Sequence, residues 1–554
     1  MRFRPQTELP THSVFNQPPP LQALDRLQTD VVLQDALRCF APAGAAARVA
    51  GLAAAVQDDA WAEAGRLANR FPPELRTFDR YGQRVDEVDF HPAYHQLFDL
   101  AVRHGVHNAA WAEGPGQSHT LHAALEYVFA QVEAGVCCPL TMTYAGVPAL
   151  QHQPALAAAW APRLTASAYD PRCVPPDQKA GCTIGMAMTE KQGGSDVRAN
   201  TTVATPIGSE DQAWRLRGHK FFCSAPMSDA FLTLAQTPHG LGCFLVPRWL
   251  PDGARNPFYI QRLKDKLGNR SNASSEIEYH DTVGFLVGEP GRGVRTILEM
   301  VHHTRLDCTL SAAALMRHAV SLAAHHATGR RAFGRVLIDQ PLMRNVLADL
   351  ALEVEAATWI WARLAAAFDR AAADPAEAAF SRIGVAIGKY WNNKRCPLVV
   401  VEAMECHGGV GYVEETDLPR IYREAPLNGI WEGSGNVICL DVLRALHREP
   451  ESVEAFRAEL ERGRGGDHRV DAAIDAVHAE LADRADLELR ARTLVERMAL
   501  AWTGSLLVRH APSAVADAWC ASRLGGAPTR CFGTLPPTAD HRAVLSRLWP
   551  PLAA

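Results

Sequence analysis

The feature that most constrains the fold is a change of hydrophobic pattern near Gly181, followed by a second change near Arg295. Between them lie short runs rich in β-branched and aromatic residues, such as CTIGMAM, NTTVAT and AWRLRGHKFFCS, punctuated by Gly, Pro and Asp. This pattern is typical of a small antiparallel β domain. Before and after it, apolar residues recur at helical spacing. The sequence therefore predicts a mainly α protein with a central antiparallel β domain.

The helical region that follows the β domain reads as three long helices and one shorter helix joined by short loops, which is the pattern of a four-helix bundle. A charged, Gly-rich link, ERGRGGDHR, then leads into a last helical segment. A Pro-Pro-Pro run at 18–20 predicts an extended arm at the start. The predicted domains are an N-terminal arm and helical domain over 1–180, a β domain over 181–294, the bundle over 295–447 and a C-terminal helical domain over 448–554.

Composition excludes several classes of protein. With 56 basic and 61 acidic residues the formal net charge is −5, so the whole chain is not a polycation that seeks nucleic acid. The 13 cysteines are scattered without a C-x-x-C pair, which favours a reducing compartment and argues against a cysteine metal site. No window has the apolar length of a membrane span. We therefore expect a soluble, cytoplasmic protein without a metal.

The loop TEKQGGSD, residues 189–196, separates two β-type runs. Glycine lets backbone N–H groups approach a ligand closely, and Thr189 and Ser195 add hydroxyl groups. The same residues are also those of an ordinary strand-to-strand turn. Loop chemistry alone favours the turn, and three other segments bear on the choice.

The first of these, HKFFCSAP, places Phe222 and Ser224 on one strand face, where they would wall a flat heterocycle or simply join the sheet core. The second, GRRAFG at 329–334, carries two arginines that suit a pyrophosphate or a solvated helix end. The third, IWEGSGN, places Glu432 just before a helix whose expected N-cap is Ser434. That helix start suits an anion or a simple acidic cap.

In order and context these segments resemble the acyl-CoA dehydrogenase superfamily of FAD enzymes, and within it the AidB flavoproteins. AidB proteins belong to the alkylation response, carry an extra C-terminal helical domain and bind double-stranded DNA. The resemblance spans nearly the whole chain. It is carried by THSVFNQPPPL, MTEKQGGSDVRANTT, RLKDKLGNRSNAS, IDQPLMRNVLADLAL, AMECHGGVGYVEET and LPRIYREAPLNGIWEGSGNVICLDVLRAL. It implies a helical N-domain, a β-barrel-like middle domain, a four-helix bundle and an extra C-terminal helical domain.

The resemblance also implies a set of FAD-binding residues. Arg330 and Phe333 would reach the FAD of a neighbouring subunit, which implies a homotetramer. The implied cofactor-binding residues are Met188, Thr189, Gly194, Ser195, Phe222, Cys223, Ser224, Arg330, Phe333, Ser434, Gly435 and Asn436.

The family removes two hydrogens across Cα–Cβ of an acyl thioester, and the resemblance assigns the catalytic base to Glu432. Arg305 matches a family arginine near that glutamate, and it would otherwise be an ion pair that orients the helix. Trp431 replaces a more usual tyrosine. Because indole is bulkier, we expect a short acyl slot and a short or branched substrate such as isovaleryl-CoA.

The resemblance implies DNA binding by the C-terminal domain, which the charge balance supports less well. Residues 448–554 hold 14 Arg, no Lys and 15 acidic residues, a net of −1. A basic stripe and a solvated, mixed-charge surface both stay open. The alternative function is thus a double-stranded DNA-binding flavoprotein of the alkylation response with little turnover, and a third is a flavin oxidase or monooxygenase. Arginines that would form the stripe are Arg462, Arg464, Arg469, Arg490, Arg492 and Arg497.

Overall fold

The structure is a computed structural model, and it describes residues 5–208, 213–483, 485–526 and 531–549. The outermost residues of the predicted first and last domains therefore lie outside the described residues. The predicted fold class is confirmed: helical regions flank a central β sheet. None of the helices in the described ranges is long and apolar enough to cross a membrane.

The first region contains seven helices and a hairpin that the helical prediction did not include. Residues 17–22, around the Pro-Pro-Pro run, form neither helix nor strand. The hairpin follows from its sequence, ELRTF and RVDEVD around the turn DRYGQ, in which Asp79 accepts from the Tyr81 N–H at 2.8 Å. The elements are α1 (Val31–Phe40), α2 (Ala45–Ala55), α3 (Asp59–Arg70), β1 (Glu74–Phe78), β2 (Arg84–Asp89), α4 (Pro92–Arg103), α5 (His119–Ala130), α6 (Cys137–Leu150) and α7 (Pro154–Leu164).

The β domain is a seven-stranded sheet that closes on itself. The closure runs β6–β4–β5–β9–β7 and back to β6, with β3 and β8 added at β6 and β9. Most pairings are antiparallel as predicted, but β6 pairs with β3 and β4 in parallel. The strands are β3 (Ile184–Ala187), β4 (Val203–Pro206), β5 (Ala213–Ser224), β6 (Ala230–Thr237), β7 (Gly240–Pro247), β8 (Phe258–Leu263) and β9 (Ser274–Val287).

Three long helices of 37, 30 and 31 residues dominate the bundle, and a shorter one completes it. Proline at the first turn starts two of them, where the missing N–H has no intrahelical partner to lose. A two-strand hairpin joins the first two helices. The elements are α8 (Gly293–Gly329), β10 (Arg331–Ala332), β11 (Arg335–Val336), α9 (Pro341–Arg370), α10 (Pro375–Glu405), α11 (Leu418–Glu424) and α12 (Gly435–Arg448).

The last region packs on the bundle instead of standing apart. Trp502 meets Phe380 of α10 edge to face, with ring centroids 5.5 Å apart. Buried Arg363 of α9 binds Glu377 at 2.7 Å and Glu459 at 2.9 Å, which ties the two regions together. One hydrophobic core is therefore common to all three helical regions. The helices are α13 (Pro450–Glu461), α14 (His468–Ala482), α15 (Leu487–His510), α16 (Ser513–Trp519) and α17 (His541–Leu548).

Candidate flavin and catalytic site

The glycine loop between β3 and β4 is anchored by Glu190, a residue to which the sequence assigned no role. Its carboxylate is buried and accepts from Lys220 Nζ at 2.9 Å and from the backbone N–H groups of Thr201 at 2.7 Å and Thr202 at 3.1 Å. Lys220 also donates to the Leu234 carbonyl at 2.8 Å. The start and end of the loop are thereby fixed to β5 and β6.

Within this loop, Gly194 lies where only glycine fits. A Cβ atom there would come within 2.3 Å of Thr189 Oγ1. The Met188 carbonyl accepts from Asn200 Nδ2 at 3.0 Å, and the Thr189 carbonyl accepts from the Phe221 N–H at 2.7 Å. Ser195 is exposed. Met188 and Thr189 are thus held against the end of β5, and Ser195 stands at the surface of the loop.

Strand β5 presents Phe222 and Ser224 on one face, as their spacing predicts. The Phe222 ring is 47% exposed, which is unusual for a large aromatic side chain in a sheet. Ser224 Oγ lies 3.3 Å from the hydroxyl of Ser274 on β9. Cys223 points the opposite way and is fully buried in the β-domain core, so only its backbone is available to a ligand beside Phe222.

Glu432 lies in the turn that precedes α12, and its carboxylate accepts from Thr304 Oγ1 of α8 at 2.9 Å. Burial raises the pKa of this carboxyl, against the opposing effects of Thr304, Lys389 and Arg305. Arg305 does not bind the carboxylate. It donates to the Glu432 carbonyl at 3.1 Å and pairs with Asp441 of α12 at 2.7 Å.

Cys138 of α6 is close both to Ser224 on β5 and to Glu432 in the turn before α12. Burial raises the pKa of its thiol to about 12; Lys266 opposes this shift, the Glu432 carboxylate adds to it, and a hydrogen bond with Ser224 opposes it. Trp431 and Met188 both pack on the core that contains Cys138. The buried Cys138 thiol therefore lies close enough to Ser224 and Glu432 to interact with both.

The GRRAFG segment forms the β10–β11 hairpin, and Phe333 at its tip is 97% exposed with φ +51°. Arg330 is partly buried and donates through Nη1 to the Asn16 carbonyl of the N-terminal arm at 2.6 Å. Asn16 also exchanges two hydrogen bonds with the Arg331 backbone, at 2.8 and 2.9 Å. In this single chain the hairpin points away from the body and is held by the arm.

Ser434 occupies the N-cap position of α12, as expected, but its side chain forms no capping hydrogen bond with the described helix. Gly435 has Lys394 and Arg492 close by, since a Cβ there would lie 3.1 Å from Lys394 Nζ and 3.3 Å from Arg492 Nη2. Asn436 Oδ1 accepts from Arg492 Nε at 2.8 Å. The open end of this helix therefore faces two cationic side chains.

These features fit a flavin dinucleotide. The half-exposed Phe222 ring beside the Ser224 hydroxyl offers an apolar face and a hydrogen-bonding edge to a flat heterocycle. The glycine at 194 lets the loop pass close to Thr189. The α12 N-terminus with its two cations suits a phosphate. Sequence reasoning missed Glu190, Thr304 and Cys138; the visible signals were the position of Thr304 beside Arg305 and the acid within TEKQGGSD.

The C-terminal arginines that would form a basic stripe are mostly engaged with acids. Arg492 is the exception, since its described partner is Asn436. The carboxylate partners are Glu459 for Arg462, Glu461 and Asp475 for Arg464, Asp467 and Asp517 for Arg469, Asp483 for Arg490 and Glu480 for Arg497. Binding to DNA phosphates would have to compete with these pairs.

Three protein-family descriptions match successive parts of the chain. Residues 16–171 match the adaptive response protein AidB N-terminal domain. Residues 185–282 match the acyl-CoA dehydrogenase middle domain, and residues 291–447 match the acyl-CoA dehydrogenase C-terminal domain. The three matches follow the order of the helical region, the closed sheet and the bundle.

Individual proteins show the same similarity. AidB of Escherichia coli strain K12 is 45% identical over 512 residues, which are 92% of this chain and 94% of that protein. The structure of Caenorhabditis elegans ACDH-11 in complex with C11-CoA is similar with a TM-score of 0.82 and 28% identity, covering 91% of each chain. The apo-form of Bd2924 is similar with a TM-score of 0.81 and 27% identity, covering 92% of this chain and all of that one.

Proposed function

Since this chain belongs to the AidB family of the acyl-CoA dehydrogenases, whose cofactor is FAD, we propose that it dehydrogenates short or branched acyl-CoA thioesters such as isovaleryl-CoA. The family implies an oxidoreductase that acts on CH–CH groups. The proposal adds the substrate, the base and the residues that bind the cofactor.

The observation that carries the proposal is the partly buried carboxyl of Glu432, held by Thr304 in the turn before α12. A base that removes a weakly acidic α-proton needs a raised pKa and a dry surrounding. Burial raises the pKa, and the hydrogen bond from Thr304 fixes one carboxylate oxygen so that the other stays free for the substrate. Cys138 interacts with both Glu432 and Ser224, which supports a flavin ring bound beside Ser224 and close to the base.

The reaction divides between the protein and its cofactor. Glu432 accepts the α-proton of the thioester. FAD, when bound, supplies the acceptor for the hydride that leaves Cβ, so two electrons and two hydrogens leave the substrate. Phe222, Ser224 and Thr189 would orient the ring, and the cations at the α12 N-terminus would hold a phosphate.

The side chains around Glu432 support a small acyl group. Trp431 donates through Nε1 to Asn428 Oδ1 at 2.7 Å, so its indole is fixed in the space next to the base. Met188 and Met142 fill the adjoining core. ACDH-11 was solved with C11-CoA, so the eleven-carbon thioester is the informative competitor. Faster flavin reduction by C11-CoA than by isovaleryl-CoA would contradict the short-chain assignment.

The central experiment is anaerobic stopped-flow reduction of the bound flavin by isovaleryl-CoA. Glu432→Gln keeps the shape and removes the base, so reduction should slow by at least the roughly 10²–10⁴-fold typical of a lost general base. Glu424→Gln is the matched control, because Glu424 is also buried and its oxygen accepts from the Asn269 N–H, a role that glutamine can keep. Equal rates for wild type and Glu432→Gln would assign the base to another group.

We also propose a homotetramer in which the β10–β11 hairpin completes a neighbour's flavin site. The support is the almost fully exposed Phe333, because a large apolar side chain on a projecting tip is costly to leave in water. Tyr412, Val410 and Val413 form a further exposed apolar group. Light scattering coupled to size-exclusion chromatography tests the assembly, and a monomer that retains FAD tightly would refute it. Cytoplasmic location stays a prediction.

DNA binding remains the alternative function and rests on the family resemblance. The paired arginines of the C-terminal region give it little support, because each phosphate contact would have to displace a carboxylate. The test is retention of duplex DNA at rising salt, compared with the Arg462→Ala, Arg464→Ala double variant. If neither acyl-CoA reduces the flavin while DNA is retained with a steep salt dependence, the DNA-associated function replaces the dehydrogenase.

A further inference from the structure

Two buried cations hold the backbone of the turn that carries Glu432. Lys389 of α10 donates from Nζ to the Trp431 carbonyl at 2.8 Å and to the Gly433 carbonyl at 2.6 Å. Arg305 of α8 donates to the carbonyl between them, that of Glu432, at 3.1 Å. Side chains of two helices thus fix three consecutive carbonyl groups, while the Glu432 carboxylate accepts its hydrogen bond from Thr304.

The turn needs such support because its backbone conformation is unusual. Glu432 has φ +56° and Gly433 has φ +102°, so two consecutive residues are left-handed. Residues other than glycine rarely adopt this region, and they stay there only where the surroundings hold them. A return of Glu432 to negative φ would swing its Cβ and carboxylate away from Thr304.

Burial of the Lys389 ammonium costs free energy, so its use to hold this turn suggests that its charge and position have a role. It is 1% exposed, in a helix segment that otherwise reads GVAIG and YW. Its hydrogen bonds in the described chain go to carbonyl oxygens, so no carboxylate hydrogen-bonds directly to the ammonium. Burial of an ammonium without a direct counter-ion is unfavourable, which makes a purely structural role a poor explanation.

We infer that Lys389 is a positioning residue for the catalytic base: its ammonium fixes residues 431–433 so that Glu432 keeps the left-handed conformation and its carboxylate stays on Thr304. This inference deepens the proposed dehydrogenase function and rests on it. Lys389 touches the backbone on both sides of the base, and it does not touch the site expected for the flavin ring.

The charge of Lys389 also acts on Glu432. The groups that face the Lys389 ammonium are Cys308 and Arg305 on α8, Glu432 itself and Lys394 on its own helix. Burial lowers the pKa of Lys389 to about 8. The positive charge in turn lowers the pKa of Glu432, so its removal should shift the titration of the base to higher pH.

The test uses the FAD-loaded, full-length protein and the variant Lys389→Met, which keeps the length of the side chain and removes its donors and charge. Arg370→Met is the control, because Arg370 is a half-exposed cation at the end of α9, outside the site described above. We expect Lys389→Met to slow flavin reduction by isovaleryl-CoA at least tenfold without weakening acyl-CoA binding. The pH profile of the reduction should move to higher pH, and Arg370→Met should match wild type.

A crystal structure of Lys389→Met provides a readout that does not depend on catalysis. The inference predicts that Glu432 moves to negative φ and loses Thr304. A turn that keeps its conformation, or a reduction rate and pH profile like wild type, would overturn it. Lys389→Gln, which is neutral but retains amide donors, serves for the same measurements if the methionine variant does not fold. If Glu432→Gln reduces as fast as wild type, the assignment of Glu432 as the base fails, whereas the structural readout still decides whether Lys389 holds the turn.

Discussion

Mutation of the buried Glu190–Lys220 pair tests how strongly this pair stabilises the glycine loop between β3 and β4. The perturbation is Glu190→Gln, which preserves shape and one acceptor oxygen. Since the Thr201 and Thr202 N–H groups donate to different carboxylate oxygens, glutamine keeps only one of these two bonds, and it leaves the Lys220 ammonium without its counter-ion. Both side chains of the pair are inaccessible to solvent. Removal of one partner from such a pair costs about 3–5 kcal/mol, because the remaining charge stays buried.

The expected loss of stability differs between mutation of Glu190 and mutation of Lys220. Lys220→Met leaves a carboxylate that still accepts two backbone N–H groups and the Thr201 hydroxyl, so its loss should be smaller than that of Glu190→Gln. The double variant Glu190→Gln, Lys220→Met removes the buried charge and leaves the amide NH₂ and one threonine N–H without an acceptor, at about 1–3 kcal/mol for each group; Glu190→Gln alone has the same losses and the buried charge in addition. The double variant is therefore expected to be more stable than Glu190→Gln alone.

The assay is urea denaturation of the four proteins, followed by tryptophan fluorescence, together with the dissociation constant of FAD. Burial alone would raise the pKa of Glu190, but Lys220 and the loop hydrogen bonds outweigh it and hold the pKa well below its usual value. The stabilising effect is therefore full above the unfolded pKa, about 4.3, and is lost as pH falls below it. A double variant less stable than Glu190→Gln would refute the reasoning.

Three further predictions concern other parts of the molecule. Burial raises the pKa of Asp307, which faces His122, to about 8, so folding favours its protonated form and stability falls as pH rises from about 4 to 8. Asp307→Asn should therefore raise the melting temperature more at pH 9 than at pH 5, and equal shifts at the two pH values would contradict this. Asn16→Ala should lower FAD occupancy, measured by absorbance, because Asn16 holds the hairpin after Arg330. Phe333→Ser should shift the assembly to smaller species in light scattering, and an unchanged mass would exclude the tip from the interface.

The sequence was sufficient for the parts of the fold that local patterns specify. The change of period near Gly181 marks the start of the sheet, and the long helices α8 to α10 match the predicted segments. The β1–β2 hairpin was missed although ELRTF and RVDEVD alternate around a turn, because the surrounding helical pattern dominated the window. Closure of the sheet was beyond reach, since the contact of Val203 with Gln236 joins strands separated by another strand.

The residues of the candidate site also fall into those that local sequence patterns reveal and those that they do not. The residues predicted to meet a ligand occur in the short motifs TEKQGGSD and IWEGSGN, which can be recognised in the sequence alone. Residues that hold those motifs lie far away in the chain: Lys220 is 30 positions from Glu190, and Lys389 is 43 positions before Glu432. Local sequence does not distinguish Lys220, which follows RLRGH, whereas Lys389 stands in the apolar stretch GVAIGKYW, where a buried charge is unusual.

In the C-terminal region, the number of arginines does not by itself indicate phosphate binding. Its arginines were candidates for phosphate binding only while their partners were unknown. In the structure Glu459 is shared by Arg363 of the bundle and by Arg509, with oxygen–nitrogen distances of 2.9 and 2.7 Å, so this acid fastens the region to α9. Arg492 instead reaches Asn436 beside the expected phosphate site. The added region is therefore better described as an outer layer that braces the bundle and contacts the proposed phosphate site than as a separate basic module, and its near-neutral charge is consistent with that role.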